Sequence, residues 1–297
     1  MDLQTGSLID DIKLTGSFPD GMFTDADYVS FLNTAYFNEI IPFIMKHREE
    51  FFVTSTDNTY ADTIAIPSDA IAQKLRDIVR VDSSGTIMGN VPRLSYEEIT
   101  GAARGGYTPV GFYLEDNSVK FYPTGAITDL IRFYYFQRPH YLTDEASCME
   151  LTSISGASAT GTVPSTWTTS TEISVVSKTQ PNTVVDTYTI SAIDVSAGTI
   201  TLSASGFAQG DFICPLGYTA IPKLPFELRD CLIQAAIVNA LISIKDIQGV
   251  QLSRNELAIA MQNASGLISP RVEGEVKKAV NTNGIWNLGR SRSNWRR

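Results

Sequence analysis

The stretch that decides the fold is residues 111–123, GFYLEDNSVKFYP, followed by residues 130–139, LIRFYYFQRP. Aromatic and β-branched residues dominate both ends of the first segment, which is typical of strands. Between them, Glu115–Ser118 favours a tight turn, because Asp and Asn tolerate a left-handed backbone. Pro123 lacks the amide proton that a strand ladder needs, so the second strand ends there and the second segment forms a third strand. We therefore expect a three-stranded antiparallel meander with one apolar face that another layer must cover.

Two amphipathic helices are predicted to supply that cover. Apolar residues recur at three- and four-residue spacing from Tyr28 to Phe51, behind a capping residue at Thr24. Pro42 lies inside this pattern and is expected to kink or split the helix. The segment 225–248 is apolar over most of its helical circumference and forms the second helix. We expect the two helices to pack together and on the meander as a helical-bundle core.

Predictions also follow for the segment after Gly249 and for the N-terminal residues. Ser253, with Glu256 three residues later, forms a capping box that predicts a third helix through Ala264, after a break at Gly249. Residues 1–21 carry scattered apolar side chains among Gly and Pro. We expect them to form an arm with little structure of its own.

Residues 151–210 differ in composition from the rest of the chain. Ser and Thr dominate, charged residues nearly disappear, and short alternating runs such as TYTI at 187–190 recur between turn residues. This pattern predicts an inserted all-β domain, a small sandwich or barrel. The predicted fold class is therefore α+β. A helical/β core is formed by residues 1–150 and 211–280, the inserted domain by 151–210, and an extended arm by 281–297.

The net charge of −9 is unevenly distributed along the chain. Residues 271–297 contain seven Lys or Arg against two Glu, so this end carries +5 and the rest of the chain −14. An acidic body argues against duplex DNA wrapping around the protein, because phosphate binding needs a basic surface. The C-terminal arm combines Trp with Arg, as binding hot spots do. We predict that it binds a partner through Trp286, Leu288, Arg290, Arg292, Trp295, Arg296 and Arg297.

The sequence contains no recognisable catalytic or metal-binding constellation. His47 and His140 lie on separate predicted elements, and no phosphate-binding loop, Ser-His-Asp or Cys-His spacing occurs. The three cysteines, Cys148, Cys214 and Cys231, are odd in number and widely separated, which argues against a disulfide framework or a zinc site. No apolar run approaches the roughly 18 residues of a membrane-spanning helix, and the first residues lack the features of a signal peptide. We therefore expect neither an enzyme, nor a cofactor, nor a membrane partner.

The hairpin segment resembles a known family. A strand pair of the form F-Y-L-x-x-N-x-(I/V)-x-F-Y-P, then a strand ending in aromatics and Arg-Pro, is similar to the head-to-tail adaptor (connector, or ring) proteins of tailed bacteriophages, of the podovirus tail-accessory type. The aromatic helix of residues 28–51, PRLSYEEI at 92–99 and LPFEL at 224–228 fit the same pattern. The resemblance covers residues 24–142 and 222–265 and leaves out the middle of the chain.

This resemblance implies a structural virion protein, made in the host cytoplasm, that forms a homo-oligomeric ring, typically a dodecamer, beneath the portal. Such a ring extends the DNA channel without sequence-specific binding and supports the attachment of tail and nozzle proteins. Its extended C-terminal arms enter clefts of the portal. An acidic lumen suits this role, because it repels the phosphates of passing DNA. The alternative, motivated by the Ser/Thr-rich insert, is a receptor- or carbohydrate-binding tail component.

Overall fold

The structure, a computed structural model, describes residues 3–95, 97–100, 110–125, 129–178, 184–203 and 207–268. The chain is a mixed α/β protein in which mostly antiparallel sheets dominate the core. The predicted helical-bundle core is therefore wrong. The helices form one layer with its own hydrophobic cluster, and the sheets bury two further clusters of their own.

The elements follow one another in a mixed order. The helices are α1 (Thr5–Gly16), α2 (Asp25–Ala35), α3 (Ile41–His47), α4 (Arg229–Ser243) and α5 (Ile247–Ile268). The strands are β1 (Val53–Asn58), β2 (Thr63–Ala65), β3 (Ala70–Val81), β4 (Ile87–Asn90), β5 (Gly111–Glu115), β6 (Ser118–Tyr122), β7 (Leu130–Gln137), β8 (Tyr141–Leu142), β9 (Met149–Glu150), β10 (Ser153–Ser155), β11 (Ser158–Thr160), β12 (Glu172–Val176), β13 (Val184–Asp194), β14 (Thr199–Leu202), β15 (Phe212–Pro215) and β16 (Tyr218–Thr219).

The predicted hairpin is present, but the predicted meander is not. Strands β5 and β6 pair around a turn in which Asp116 takes the left-handed conformation, with φ of 52°. Strand β6 then pairs with β2, whereas β7 lies between β1 and β3 in a four-stranded sheet of order β1-β7-β3-β4. The three-stranded sheet, of order β2-β6-β5, and the four-stranded sheet are hereafter the two small sheets. They cover each other, since Phe121 of the first and Phe133 of the second belong to the same buried cluster. The apolar face expected to pack on helices is thus covered by a second sheet.

A seven-stranded antiparallel sheet spans residues 149–215, slightly beyond the limits predicted from composition. Its strand order is β10-β11-β14-β13-β12-β15-β9, and it curls into a half-barrel around a cluster that includes Trp167. Successive side chains of a strand point to opposite faces. Ile213 of β15 accordingly joins the cluster inside the half-barrel, while its neighbour Phe212 joins the cluster of the helices. One face of this sheet therefore packs on the helical layer.

Helix α4 is the centre of the helical layer. It contacts α1, α2 and α5, and buried side chains, including those of Leu232 and Ala236, occupy most of its circumference. Helix α2 begins with the capping box at Thr24, whose hydroxyl accepts a hydrogen bond from the Asp27 amide at 3.3 Å. The predicted interruption near Pro42 takes the form of a π-helical turn at Tyr36–Ile40 that precedes α3.

The N-terminal residues are not the unstructured arm that we expected. They form α1, in which Leu8 and Ile12 are fully buried. An isolated helix of this length is marginal in water, so its stability must come from tertiary contacts. Thr5 supplies one such contact, because both its amide and its hydroxyl donate to the Ala220 carbonyl, at 2.9 and 2.7 Å.

The break between the last two helices also differs from the prediction. Helix α5 runs unbroken through Ser253, which was expected to cap a separate helix. The chain turns at Lys245 instead, where φ is 61°, and the Asp246 carboxylate accepts a hydrogen bond from the Gly249 amide at 3.0 Å. Gly249 therefore lies in the first turn of α5 and does not end the preceding helix.

Leu232 tests the importance of α4. Its side chain is completely buried, so we expect Leu232→Ala to lower the free energy of unfolding by about 2–5 kcal/mol, through lost burial and the cavity left behind. Leu252→Ala is the matched control, because Leu252 on α5 is 62% exposed and should change stability by less than about 0.5 kcal/mol. Urea denaturation followed by circular dichroism measures both. Equal effects of the two substitutions would contradict the central position of α4.

Candidate interaction surfaces

The residues that the sequence predicts to bind a partner lie outside the part of the chain that the structure describes. They are Trp286, Leu288, Arg290, Arg292, Trp295, Arg296 and Arg297. Within the described ranges, the structure presents two other surfaces with the composition of an interface. One is a groove beside α2, and the other is the outer face of the hairpin formed by α4 and α5.

The groove beside α2, hereafter the aromatic groove, has a volume of about 620 Å³. Three aromatic rings line it in a row: the Phe37 and Tyr141 ring centres are 4.5 Å apart, and those of Tyr141 and Tyr218 are 6.4 Å apart. Tyr141 is 52% exposed and Tyr218 46% exposed. The remaining lining comes from Ala26, Val29, Ser30, Asn33, Thr34, Leu142 and Thr143. Partly exposed aromatic side chains in a concave surface are typical of protein interfaces.

The aromatic groove is held in place by hydrogen bonds between α2 and a short parallel pair of strands. Strands β8 and β16 pair so that Tyr141 lies opposite Tyr218. The Asn33 side chain on α2 then clasps Leu142, accepting from its amide at 2.7 Å and donating to its carbonyl at 2.8 Å. This bidentate contact fixes the distance between the helix and the strands, and therefore the width of the groove.

A polar junction next to the aromatic groove joins the small sheets to the helices. The Asp69 carboxylate accepts hydrogen bonds from the Tyr135 hydroxyl at 3.1 Å and from the Gln137 amide at 3.3 Å. The Lys223 ammonium group in turn donates to the Gln137 side-chain carbonyl at 3.2 Å. Burial and then the Asp69 charge raise the pKa of Tyr135 to about 12, so the hydroxyl stays protonated and remains a donor. Burial lowers the pKa of Lys223, and the charge of Asp69 opposes that shift.

His140 is a further, half-buried titratable group of this junction. Its Nδ1 atom is buried and has no hydrogen-bond partner among the described residues. Burial lowers the pKa of the imidazole below its ordinary value of 6.5. A hydrogen bond to the Tyr218 backbone and the charge of Asp69 oppose this shift, whereas the charge of Lys223 adds to it. The imidazole thus lies between the charged residues of the junction, Asp69 and Lys223, and the backbone of Tyr218, which lines the aromatic groove.

The other candidate residues are not brought together into a catalytic site. His47 packs against the Phe43 ring at the end of α3, with ring centres 4.6 Å apart. Cys231 is buried in α4, and burial raises the pKa of its thiol to about 11, which disfavours the nucleophilic thiolate. Across the described ranges, no group of three or more His, Cys, Asp and Glu side chains could hold a metal ion. None of the helices in those ranges is long and apolar enough to cross a bilayer.

The second surface, hereafter the hairpin surface, consists of exposed aliphatic residues at the tip and outer side of the α4–α5 hairpin. They are Ile242, Ile244, Ile247, Leu252 and Ile259. On α5, Leu252 and Ile259 are one heptad apart and therefore lie on nearly the same side of the helix. The buried Leu257 is two residues, or about 200°, away from Ile259. Ile259 thus faces away from α4.

The two surfaces lie on nearly opposite sides of α4. The Gln234 side chain of α4 donates to Glu256 on α5 at 2.9 Å, and the Asn239 side chain donates to the Phe31 carbonyl on α2 at 3.3 Å. Five residues along a helix correspond to about 140° around its axis. Helix α2, which carries the aromatic groove, and α5, which carries the hairpin surface, therefore flank α4 from different directions.

These surfaces were not predicted from the sequence, although large apolar residues outside the buried stripe of a helix could have indicated them. The predicted aromatic stripe of residues 28–51 did not include Phe37. Leu252 and Ile259 are out of register with the buried side of α5. Large apolar residues outside the buried stripe of a helix are candidates for contact with another molecule.

No protein-family model matches the chain, and no curated protein matches it.

The half-buried imidazole of His140 predicts a pH dependence of stability. The unfolded chain takes up a proton on His140 near pH 6.5, but the native state, whose pKa is lower, takes it up only at more acidic pH. Stability associated with His140 is therefore complete above about pH 6.5 and decreases as the pH falls below it. His140→Gln should remove this dependence, and urea denaturation between about pH 8 and pH 5.5 measures it. His47→Gln is the control at the end of α3. Parallel stability curves for wild type and His140→Gln would contradict the assignment.

Proposed function

We propose that this protein is a structural, non-enzymatic virion protein, a head-to-tail adaptor that assembles into a ring beneath the portal of a tailed bacteriophage. The proposal combines the sequence resemblance at residues 112–123 with the surfaces described above. In this role the ring extends the channel through which DNA leaves the capsid, and its outer side receives tail proteins. The ring contains several copies of this chain, typically twelve in the family that it resembles.

The observation that carries the proposal is the presence of two unlike apolar surfaces on opposite sides of α4. A surface that binds its own copy forms a two-fold dimer, but two different surfaces that bind each other produce head-to-tail association. Such association closes into a ring when a whole number of equal rotations, each relating one copy to the next, adds up to a full turn. We propose that the hairpin surface of one copy, led by Leu252 and Ile259, contacts the aromatic groove of the next.

The charge distribution supports the same role. The chain without residues 271–297 carries −14, so the lumen of a ring built from it repels DNA phosphates and lets the genome slide through. The C-terminal residues carry the opposite charge and include Trp286 and Trp295. We propose that they reach the portal and anchor the ring to it.

Ring assembly can be tested on the hairpin surface. We expect wild-type protein, alone at high concentration or with its portal, to form closed rings on negative-stain micrographs and one dominant oligomer in native mass spectrometry. The double substitution Leu252→Ser and Ile259→Ser should abolish the rings and leave a folded monomer, because both side chains are at least 60% exposed. Leu14→Ser, at a 79% exposed position of α1, is the control and should assemble normally. Trimeric spikes instead of rings would favour the receptor-binding alternative.

Portal binding can be tested on the C-terminal arm. Truncation after Val280 should leave a soluble, folded protein that no longer binds portal rings in a pull-down experiment. Trp295→Ala should weaken binding by about 2 kcal/mol or more, as expected for a buried aromatic anchor. Arg296→Ala should mainly change the salt dependence of binding, as expected for a charge at the rim of an interface. Undiminished portal binding by the truncated protein would exclude this role for the arm.

A further inference from the structure

Two of the three cysteines, which lie far apart in the sequence, meet in the structure. Cys214 lies on β15 and Cys148 directly precedes β9, the strand that pairs with β15. Both side chains are buried, with exposures of 0% and 5%, and both belong to the hydrophobic cluster of the helices. The nearby Cys214 side chain raises the pKa of the Cys148 thiol. They are therefore neighbours on one face of the sheet, and both are reduced.

The register of the two strands places the cysteines opposite each other. Ile213 pairs with Met149 and Phe212 with Glu150, so the next pair of the antiparallel ladder is Cys214 with Cys148. Cys148 has an extended backbone, with φ of −116° and ψ of 164°, and therefore continues the direction of β9. The cysteines form a directly opposed cross-strand pair.

The hydrogen-bond alternation of the ladder shows which kind of pair this is. The Leu151 amide donates to the Asp211 carbonyl at 2.9 Å, which makes Leu151 and Asp211 a hydrogen-bonded pair. Hydrogen-bonded and non-hydrogen-bonded pairs alternate along an antiparallel ladder. Cys148 and Cys214 are three residue pairs along the ladder from Leu151 and Asp211, and they therefore form a non-hydrogen-bonded pair. Opposed Cα atoms of such a pair are about 4.5 Å apart, within the range of roughly 4.4–6.8 Å that a disulfide spans.

We propose that Cys148 and Cys214 are an oxidative modification site, at which a cross-strand disulfide forms when the protein meets a small-molecule disulfide. One cysteine thiolate attacks the reagent, releases one small thiol and forms a mixed disulfide, and the second cysteine then displaces the second small thiol. Two protein thiols are oxidised, one reagent disulfide is reduced to two thiols, and the protons pass to the released thiolates. This inference does not depend on the proposed adaptor function.

The position of the pair gives the modification a structural consequence. Cys148 lies where the chain enters the seven-stranded sheet, and Cys214 lies on the strand by which it leaves. The place where the chain enters and leaves the half-barrel is hereafter the neck. A disulfide between Cys148 and Cys214 joins the entering and leaving segments covalently at the neck, beside the helical layer. Cross-linking the ends of a long loop stabilises a protein mainly by restricting the unfolded chain.

The environment also sets the rate of oxidation. The neighbouring Cys214 side chain and then burial raise the pKa of the Cys148 thiol, so few thiolates are present at neutral pH. Exchange with a dissolved disulfide therefore proceeds through local opening of the neck and is slow. Urea at concentrations below the unfolding transition should accelerate it, because urea increases the population of opened states.

The experiment uses the full-length protein, incubated with glutathione disulfide for increasing times, with and without such low urea concentrations. We expect the intact mass to fall by two hydrogen atoms and peptide mapping to show one linked peptide pair that contains Cys148 and Cys214. The oxidised protein should melt about 5 °C or more above the reduced protein, and a reducing agent should reverse the shift.

Three cysteine variants provide the controls. Cys231→Ser should form the same disulfide, because Cys231 lies in α4 and outside the pair. Cys148→Ser and Cys214→Ser should form none, and if either variant folds poorly, the peptide map of the wild-type protein decides. The proposal is overturned if exhaustive oxidation leaves Cys148 and Cys214 unlinked or links either of them to Cys231. An unchanged melting temperature after linkage would overturn the role of the disulfide at the neck.

Discussion

The burial of α4 over most of its circumference is the constraint on which the rest of the helical layer depends. A helix that is apolar over so much of its surface must be covered by other elements from several directions. Helices α1, α2 and α5 supply part of that cover, and Phe212 and Val176 of the half-barrel join the same cluster. The start of α4 is fixed by the buried guanidinium group of Arg229, which forms an ion pair with Asp11 of α1.

The sheets, by contrast, do not depend on the helices for their cores. The two small sheets bury aromatic residues such as Phe121 and Phe133 between themselves, and the half-barrel closes around its own cluster. Polar contacts, short strands and the outer face of the half-barrel, with Phe212 and Val176, connect these units to the helices. The Asp69 network joins the small sheets to the segment before α4, and the neck at Cys148 and Cys214 joins the half-barrel to it. Connections of this kind position the units without merging their cores.

This arrangement leaves the outer sides of α2 and α5 available for other molecules. Helix α4 is covered by its neighbours over most of its circumference, whereas α5 keeps an exposed outer side and α2 borders an open groove. The aromatic groove and the hairpin surface occupy the remaining sides. The physical need to bury α4 thus explains why the interaction surfaces that we propose lie on opposite sides of one layer. The Asn33 contact with Leu142 then gives the aromatic groove a fixed width.

The sequence by itself determined the local features of this protein. The turn at Glu115–Ser118, the helix cap at Thr24, the interruption near Pro42 and the strand-rich composition of the insert are encoded by neighbouring residues and could be predicted from them. Partner choice between strands was decided only by tertiary structure: β6 pairs with β2, and β7 lies in a different sheet. The helicity of residues 5–16 also required distant partners such as Ala220 and Arg229. The aromatic groove and the cysteine pair depend on the same long-range pairing: Tyr141 meets Tyr218, and Cys148 meets Cys214, only after strands distant in sequence have come together.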